Sequence, residues 1–162
     1  MAVDYFLRIE GIEGESADAK HKGEIDVLSW AWGVSNSSAV GVGGGTGAGK
    51  ATVQDLQFTK RMSKASPKLF LACATGQHLK QARLSAVRTA GAKQAEFLAL
   101  TLTDVMVSSY QTGGSEGGDV SPMDQVSLNF AKLALEYKGQ KADGSLDVPV
   151  VAGWDAKTNT KV

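Results

Sequence analysis

Apolar and polar side chains alternate along most of this chain, the pattern of strands with one wet face and one buried face. Tyr5, Leu7 and Ile9 alternate with Asp4, Phe6, Arg8 and Glu10. Residues 25–34 predict a second strand. Residues 52–60 predict a third, in which Val53 is out of step with Leu56 and Phe58, as an offset or bulge would require. A fourth is expected over 78–89. The longest, over 97–110, puts Leu98, Leu100, Leu102 and Met106 on one side and Thr101, Thr103, Val105 and Val107 on the other. In the next, over 126–138, the apolar parity changes between Phe130 and Leu133, consistent with a bulge. A short last strand is expected near 148–154.

One helix interrupts this series. Ser66 is placed to cap it, and Pro67 fits a first helical position, where a missing N–H costs nothing. Gly76 can end it in the left-handed conformation. Leu69, Phe70 and Cys73 share a face and are expected to pack on the sheets. Loops fall at 11–23, 36–50, 113–122 and 139–149. No internal repeat or domain boundary is visible, so residues 1–162 read as a single domain. Many strands with one short helix point to a closed or nearly closed antiparallel barrel, or to two packed sheets.

Charge changes this picture in one place. Residues 27–49 carry no charged side chain. The run begins in the Trp30-Ala31-Trp32 strand and passes through Ser35-Asn36-Ser37-Ser38 into Gly41, Gly43, Gly44, Gly45, Gly47 and Gly49. It is too polar to cross a bilayer, which needs about 20 mostly apolar residues. A partner protein or a second copy is the expected cover. Trp30 and Trp32 lie on one side of their strand, either as core packing or as an interface stripe.

The chain as a whole is neutral, with 17 basic and 17 acidic residues, where a nucleic-acid binder leans basic. The balance is uneven: residues 50–93 hold nine bases and one acid, whereas the flanking segments are net acidic. Opposite signs on one molecule favour head-to-tail association. The basic set Lys60, Arg61, Lys64 and Lys68 lacks the interleaved aromatics of a single-strand binder and is expected to be a solvated rim or a contact for an acidic partner. One cysteine, Cys73, excludes an intrachain disulfide and reads as a small core residue. The first residues have neither the basic start nor the apolar core of a secretory signal, so folding is expected in the cytoplasm and any export without a cleaved signal peptide.

Three segments imitate chemical motifs. Residues 44–50 match the first seven positions of G-x-x-x-x-G-K-[ST], but Ala51 lacks the hydroxyl for magnesium, and a strand follows where the motif requires a helix. Gly43-x-Gly45-x-x-Ala48 fails the same test and has no acid about 20 residues on. Gly113-Gly114-Ser115-Glu116-Gly117 fits G-x-S-x-G, but no helix follows it, and both histidines, His21 and His78, precede the serine. Neither histidine has metal-ligand neighbours at the right spacing; each reads as a polar surface or strand-end residue. No catalytic set, cofactor site or metal site is expected. The residues describe a structural or binding protein that associates with its own copies.

The segment Glu24-Ile25-Asp26-Val27-Leu28-Ser29-Trp30-Ala31-Trp32-Gly33 resembles the signature of the haemolysin-coregulated protein family of bacterial type VI secretion. The likeness continues through 43–50, Val53-Gln54-Asp55-Leu56-Gln57-Phe58-Thr59-Lys60, Ser66-Pro67-Lys68-Leu69, 102–109, Ser127-Leu128-Asn129-Phe130 and Gly153-Trp154. It implies a mainly β fold: a two-sheet antiparallel β-barrel with one short α-helix on its side and a long glycine-rich loop. It implies a structural tube subunit. Six copies form a ring, and rings stack into a hollow tube inside a contractile sheath and behind a trimeric spike. Small secreted effectors travel in the lumen, and the protein moves from the bacterial cytoplasm to the outside or into a target cell. No nucleic acid and no membrane insertion are implied. Val42, Gly43, Gly44, Gly45, Thr46, Gly47 and Lys50 are the expected subunit or ring-stacking contacts. The competing reading from the residues alone is a monomeric β-sandwich that binds a ligand or a protein.

Overall fold

The computed structural model of the chain describes residues 2–37, 49–90, 93–118 and 121–162. Its elements are β1 (Ala2–Ile9), β2 (Ile25–Val27), β3 (Ser29–Ala31), β4 (Val34–Asn36), β5 (Ala51–Val53), β6 (Leu56–Arg61), α1 (Ala65–Thr75), β7 (Leu79–Ala90), β8 (Lys93–Gly113), β9 (Met123–Gln140), β10 (Leu146–Asp155) and β11 (Thr160–Lys161). The main path runs β11-β10-β9-β8-β7-β1-β2, β6 joins β9 and carries β3, and β4 with β5 forms a separate hairpin. Every pairing is antiparallel.

The second expected strand is three short ones, and the third is two. The breaks have a purpose. β2 borders β1, and after Leu28, whose N–H donates to the Thr59 carbonyl at 2.9 Å, the same run of chain borders β6 as β3. This turn brings the two sheets over one another. The ladder is interrupted there, so the mainly β, antiparallel class is as expected but the barrel is not closed. Between the sheets lie Leu7, Ile25, Leu56, Phe58, Leu84, Leu100, Leu102 and Leu128, each at most 2% exposed.

β8 departs from the expected alternation. Leu100 and Leu102 are buried, but so are Val105 and Val107, while Met106 is 41% exposed. The cause is Asp104, a non-glycine residue at φ 56°. One left-handed residue in a strand shifts the side-chain parity, so the half of β8 before Asp104 and the half after it bury opposite sets. A register shift between Val107 and Ser109 adds a second irregularity. The parity change expected between Phe130 and Leu133 is real, since Phe130, Ala131 and Leu133 are all buried. However, the register of β9 against β8 does not shift there. Asp104 lies opposite that stretch, between the Thr103–Lys132 and Val105–Phe130 pairs, so the partner strand carries the irregularity.

α1 begins before the expected cap. Lys64 is the N-cap, Ser66 is the second helical residue, and Ser63 supplies the turn, its Oγ accepting from Ala65 N–H at 3.3 Å. Gly76, at φ 65°, ends the helix as expected, and the N–H groups of Gly76 and Gln77 close onto the Cys73 and Ala72 carbonyls. Leu69 and Ala72 face the core and Cys73 packs against it, but Phe70 is 57% exposed. Gly14 is fixed by contact rather than by φ: a Cβ there would collide with the Glu24 carbonyl and Ile25 Cα.

Candidate functional site

The chemical imitations do not assemble. Lys50 is an exposed coil residue immediately before β5, which pairs with β4, so no helix N-terminus stands behind the glycine run. Val42, Gly43, Gly44, Gly45, Thr46 and Gly47 fall outside the described residues. What is described is the base of their loop. Asn36 Nδ2 donates to the Gly49 carbonyl at 2.9 Å, and the Ala51 N–H donates to Asn159 Oδ1 at 3.3 Å, tying that base to the turn between β10 and β11. Ser115 lies in an exposed loop past the end of β8. Among the described residues, no group of three or more His, Cys, Asp and Glu could hold a metal ion. His21 is not a surface residue: it is 7% exposed, stacks on Phe6 at 4.4 Å and places Nδ1 2.9 Å from Glu24 Oε2.

Lys60 is not part of a solvated rim. Its Nζ lies 2.8 Å from Asp124 Oδ2 and donates to Ser66 Oγ at 2.8 Å, with both Lys60 and Asp124 at 0% exposure. Ser66 Oγ donates to Asp124 Oδ2 at 2.5 Å, and Tyr110 Oη donates to Oδ1 at 3.1 Å. Burial pushes the Asp124 carboxyl up, but hydrogen bonds from Lys60, Ser66 and Thr112 outweigh it and hold the group below its ordinary value. A serine beside a lysine can be a nucleophile and its base. Here the serine hydroxyl is committed to a carboxylate and sealed from water, so the cluster fastens α1 to β6, β8 and β9. Sequence reasoning missed it because one turn of helix and one strand register bring Lys60, Ser66 and Asp124 together from three elements.

Among the grooves of the described residues, two are lined by no charged side chain. The first is a face of the β3-β6-β9-β8 sheet. Two rows of four side chains cross it, Ser29-Thr59-Gln125-Gln111 and Ala31-Gln57-Ser127-Ser109, each set by the pairing register. They line a groove of about 370 Å³ with no charged side chain, and Ser29 Oγ and Thr59 Oγ1 share a hydrogen bond at 2.5 Å. The opposite face of the same strands presents Trp30, Phe58 and Val126 to the core, with Trp30 edge-on to Tyr5 at 6.0 Å.

The second is a groove of about 440 Å³ between the β4–β5 hairpin and the β9–β10 ladder, walled by Trp32, Val34, Val53, Leu135 and Trp154. The indole N–H groups of Trp32 and Trp154 are buried without an acceptor among the described residues. The two tryptophans of the uncharged run therefore part company. Trp30 packs within β3, and Trp32, beyond the end of that strand, lines this groove; both are half-buried against the core.

A family model described as "Type VI secretion system effector, Hcp" matches residues 6–137. The chain belongs to the Hcp family of the type VI secretion system. It is 48% identical over 162 residues to the Protein hcp1 of Pseudomonas aeruginosa, covering 99% of each chain. Its fold matches a solved structure described as a type six secretion system protein at a TM-score of 0.92 and 35% identity, over 99% of this chain and 100% of that one. It matches Hcp1 of Salmonella typhimurium at 0.77 and 38% identity, over the whole of both chains. Hcp proteins are secreted proteins of this system and not a known enzyme family, in keeping with a fold whose buried polar cluster is structural. None of the helices among the described residues is long and apolar enough to cross a membrane.

Proposed function

We propose that this Hcp protein is a tube subunit: six copies form a ring, and rings stack head to tail into a hollow tube. In this reading the tube is assembled in the bacterial cytoplasm inside a contractile sheath and behind a trimeric spike. It is driven outward by sheath contraction without a cleaved signal peptide, and small effectors travel in its lumen. The work is mechanical and the energy comes from the sheath, so the subunit needs no catalytic set, cofactor or metal.

The observation that carries this reading is the pair of uncharged rows across β3, β6, β9 and β8. Eight small or amide side chains on one face, with no charge and no large apolar group, make a wall that neither traps a passenger electrostatically nor binds it hydrophobically. Repeated around a ring, that face suits the lining of a channel. The glycine-rich loop supports stacking, because a segment so rich in glycine can bring its backbone close to a neighbour. A head-to-tail contact that closes gives a ring, and one that does not gives a filament.

Native mass spectrometry of the purified chain should show a hexamer, and electron micrographs should show annular particles. A strictly monomeric species at high concentration overturns the proposal. It would favour a monomeric binding module, particularly if glycan or protein ligands bound without rings. Replacing Gly44 and Gly45 with bulky residues should leave the rings intact and weaken their stacking; tubes formed as readily as by the parent would remove the loop from the contact.

A further inference from the structure

We infer that the ring is closed by an apolar knob on α1, formed by Phe70 and Leu71, seated in the tryptophan groove of the next copy. The inference rests on the ring reading and names the surfaces that would make it.

The described residues leave the knob more than half uncovered. Phe70 is 57% exposed and Leu71 56%, on a helix whose other face is fully buried at Leu69 and Ala72. Phe70 is held edge-on to Tyr110 with ring centroids 6.4 Å apart, so it is presented at a defined angle. Adjacent large apolar side chains at the surface mark a contact more often than scattered ones.

The groove has the complementary deficit. It is apolar, open and about 440 Å³ in volume, and the two indole N–H groups in its walls lack acceptors among the described residues. A buried donor without an acceptor is costly, so the occupant is expected to be apolar and to bring acceptors. The last-turn carbonyls of α1 that Gly76 and Gln77 do not close, those of Ala74 and Thr75, are acceptors of that kind. The β4–β5 hairpin that roofs the groove has no ladder to the main sheet, and an isolated two-stranded hairpin is marginal without something packed on it.

The two surfaces cannot meet within one copy. α1 is fastened to β9 at Asp124, and the groove wall begins on β9 at Phe130, six residues further along. At about 3.3 Å per residue that is roughly 20 Å. Each copy therefore presents one knob and one distant hole, the requirement for a heterologous contact that can close into a ring.

The test uses two surface variants of the full chain. Phe70→Glu with Leu71→Glu removes the knob, and Ala152→Trp fills the groove; Val34→Glu serves if the tryptophan variant does not fold by circular dichroism. With a hexameric parent, each variant alone should be monomeric in native mass spectrometry. Mixed in equal amounts they should form a one-to-one heterodimer and nothing larger, because only one intact knob and one intact hole remain between them. Variants that still form hexamers, or a mixture that yields no heterodimer, overturn the inference and leave the ring reading intact. Rings that persist while binding to a different chain of the system is lost also overturn it, and assign the knob to that chain. A monomeric parent instead brings down the ring reading itself.

Discussion

Lys60 and Asp124 face each other at 2.8 Å with neither side chain reaching water. A pair so placed is strongly coupled, because removing one partner leaves the other charge buried and uncompensated. Lys60→Ala or Asp124→Ala should each cost about 3–5 kcal/mol in urea unfolding. The double substitution Lys60→Met with Asp124→Leu should cost much less than the sum of the two. Additive losses would show that the two side chains stabilise the fold independently.

The same carboxyl should set part of the acid limit. Its folded value is held below the ordinary one of about 3.9, so its contribution is fully present above that pH and is lost as the pH falls through the folded value. Melting temperatures should therefore show no change owed to this group between about pH 5 and 8 and a decline below about pH 4. Asp124→Asn, already destabilised, should show a shallower decline, and an unchanged acid slope would place the acid sensitivity elsewhere.

Asp104 occupies a backbone conformation that costs an L-residue roughly 1–2 kcal/mol. Asp104→Gly should be neutral to slightly stabilising, even though it gives up the exposed 3.1 Å contact with His78 Nε2. Asp104→Val should be destabilising by about 1–3 kcal/mol, since a β-branched side chain tolerates positive φ least. Equal melting temperatures for the two variants would show that β8 relaxes out of this conformation.

Gly14 has no room for a methyl group beside the Glu24 carbonyl and Ile25 Cα, and both are backbone. Gly14→Ala should destabilise by about 1–3 kcal/mol, because the strand holding Ile25 must move. Gly11, where nothing lies within 4 Å of an added Cβ but φ is 87°, should lose less on the same change. Thermal unfolding of the two variants gives the comparison.

Lys50 should bind no nucleotide. The strand that follows it supplies neither the helix end nor the hydroxyl that phosphate and magnesium require. Calorimetric titration with ATP and magnesium should show no binding heat, and a saturable signal lost on Lys50→Ala would reverse this assignment.

Much of the fold is legible in the chain because a period of two marks the strands, although Phe6 in β1, and Ser85 and Val87 opposite Leu84 and Ala86 in β7, are buried as well. It fails where the backbone departs from the ladder. Met106 takes the expected place of Val105 only if residue 104 is ordinary, and nothing in an aspartate side chain announces a left-handed φ. The helix end is legible at Gly76 because glycine there has a single strong reason. The start is not, because Ser66 is drawn inward by Lys60 and Asp124, and a partner 58 positions away leaves no local signal. The uncharged rows could be found in principle: Gln57 and Thr59, Gln125 and Ser127, and Ser109 and Gln111 each sit two apart. Only the register shows that they line up. The tryptophan groove depends on Trp32 lying beyond the end of its strand, which a continuous strand over 25–34 conceals.

The lone left-handed residue in β8 also determines how the protein can change over time. Because everything before it and everything after it points inward with opposite parity, deleting one position on either side would turn half of the longest strand inside out. Insertions and deletions should therefore be confined to the connections, such as 113–122 and 141–145, while the strand itself can vary only by exchanging one side chain for another.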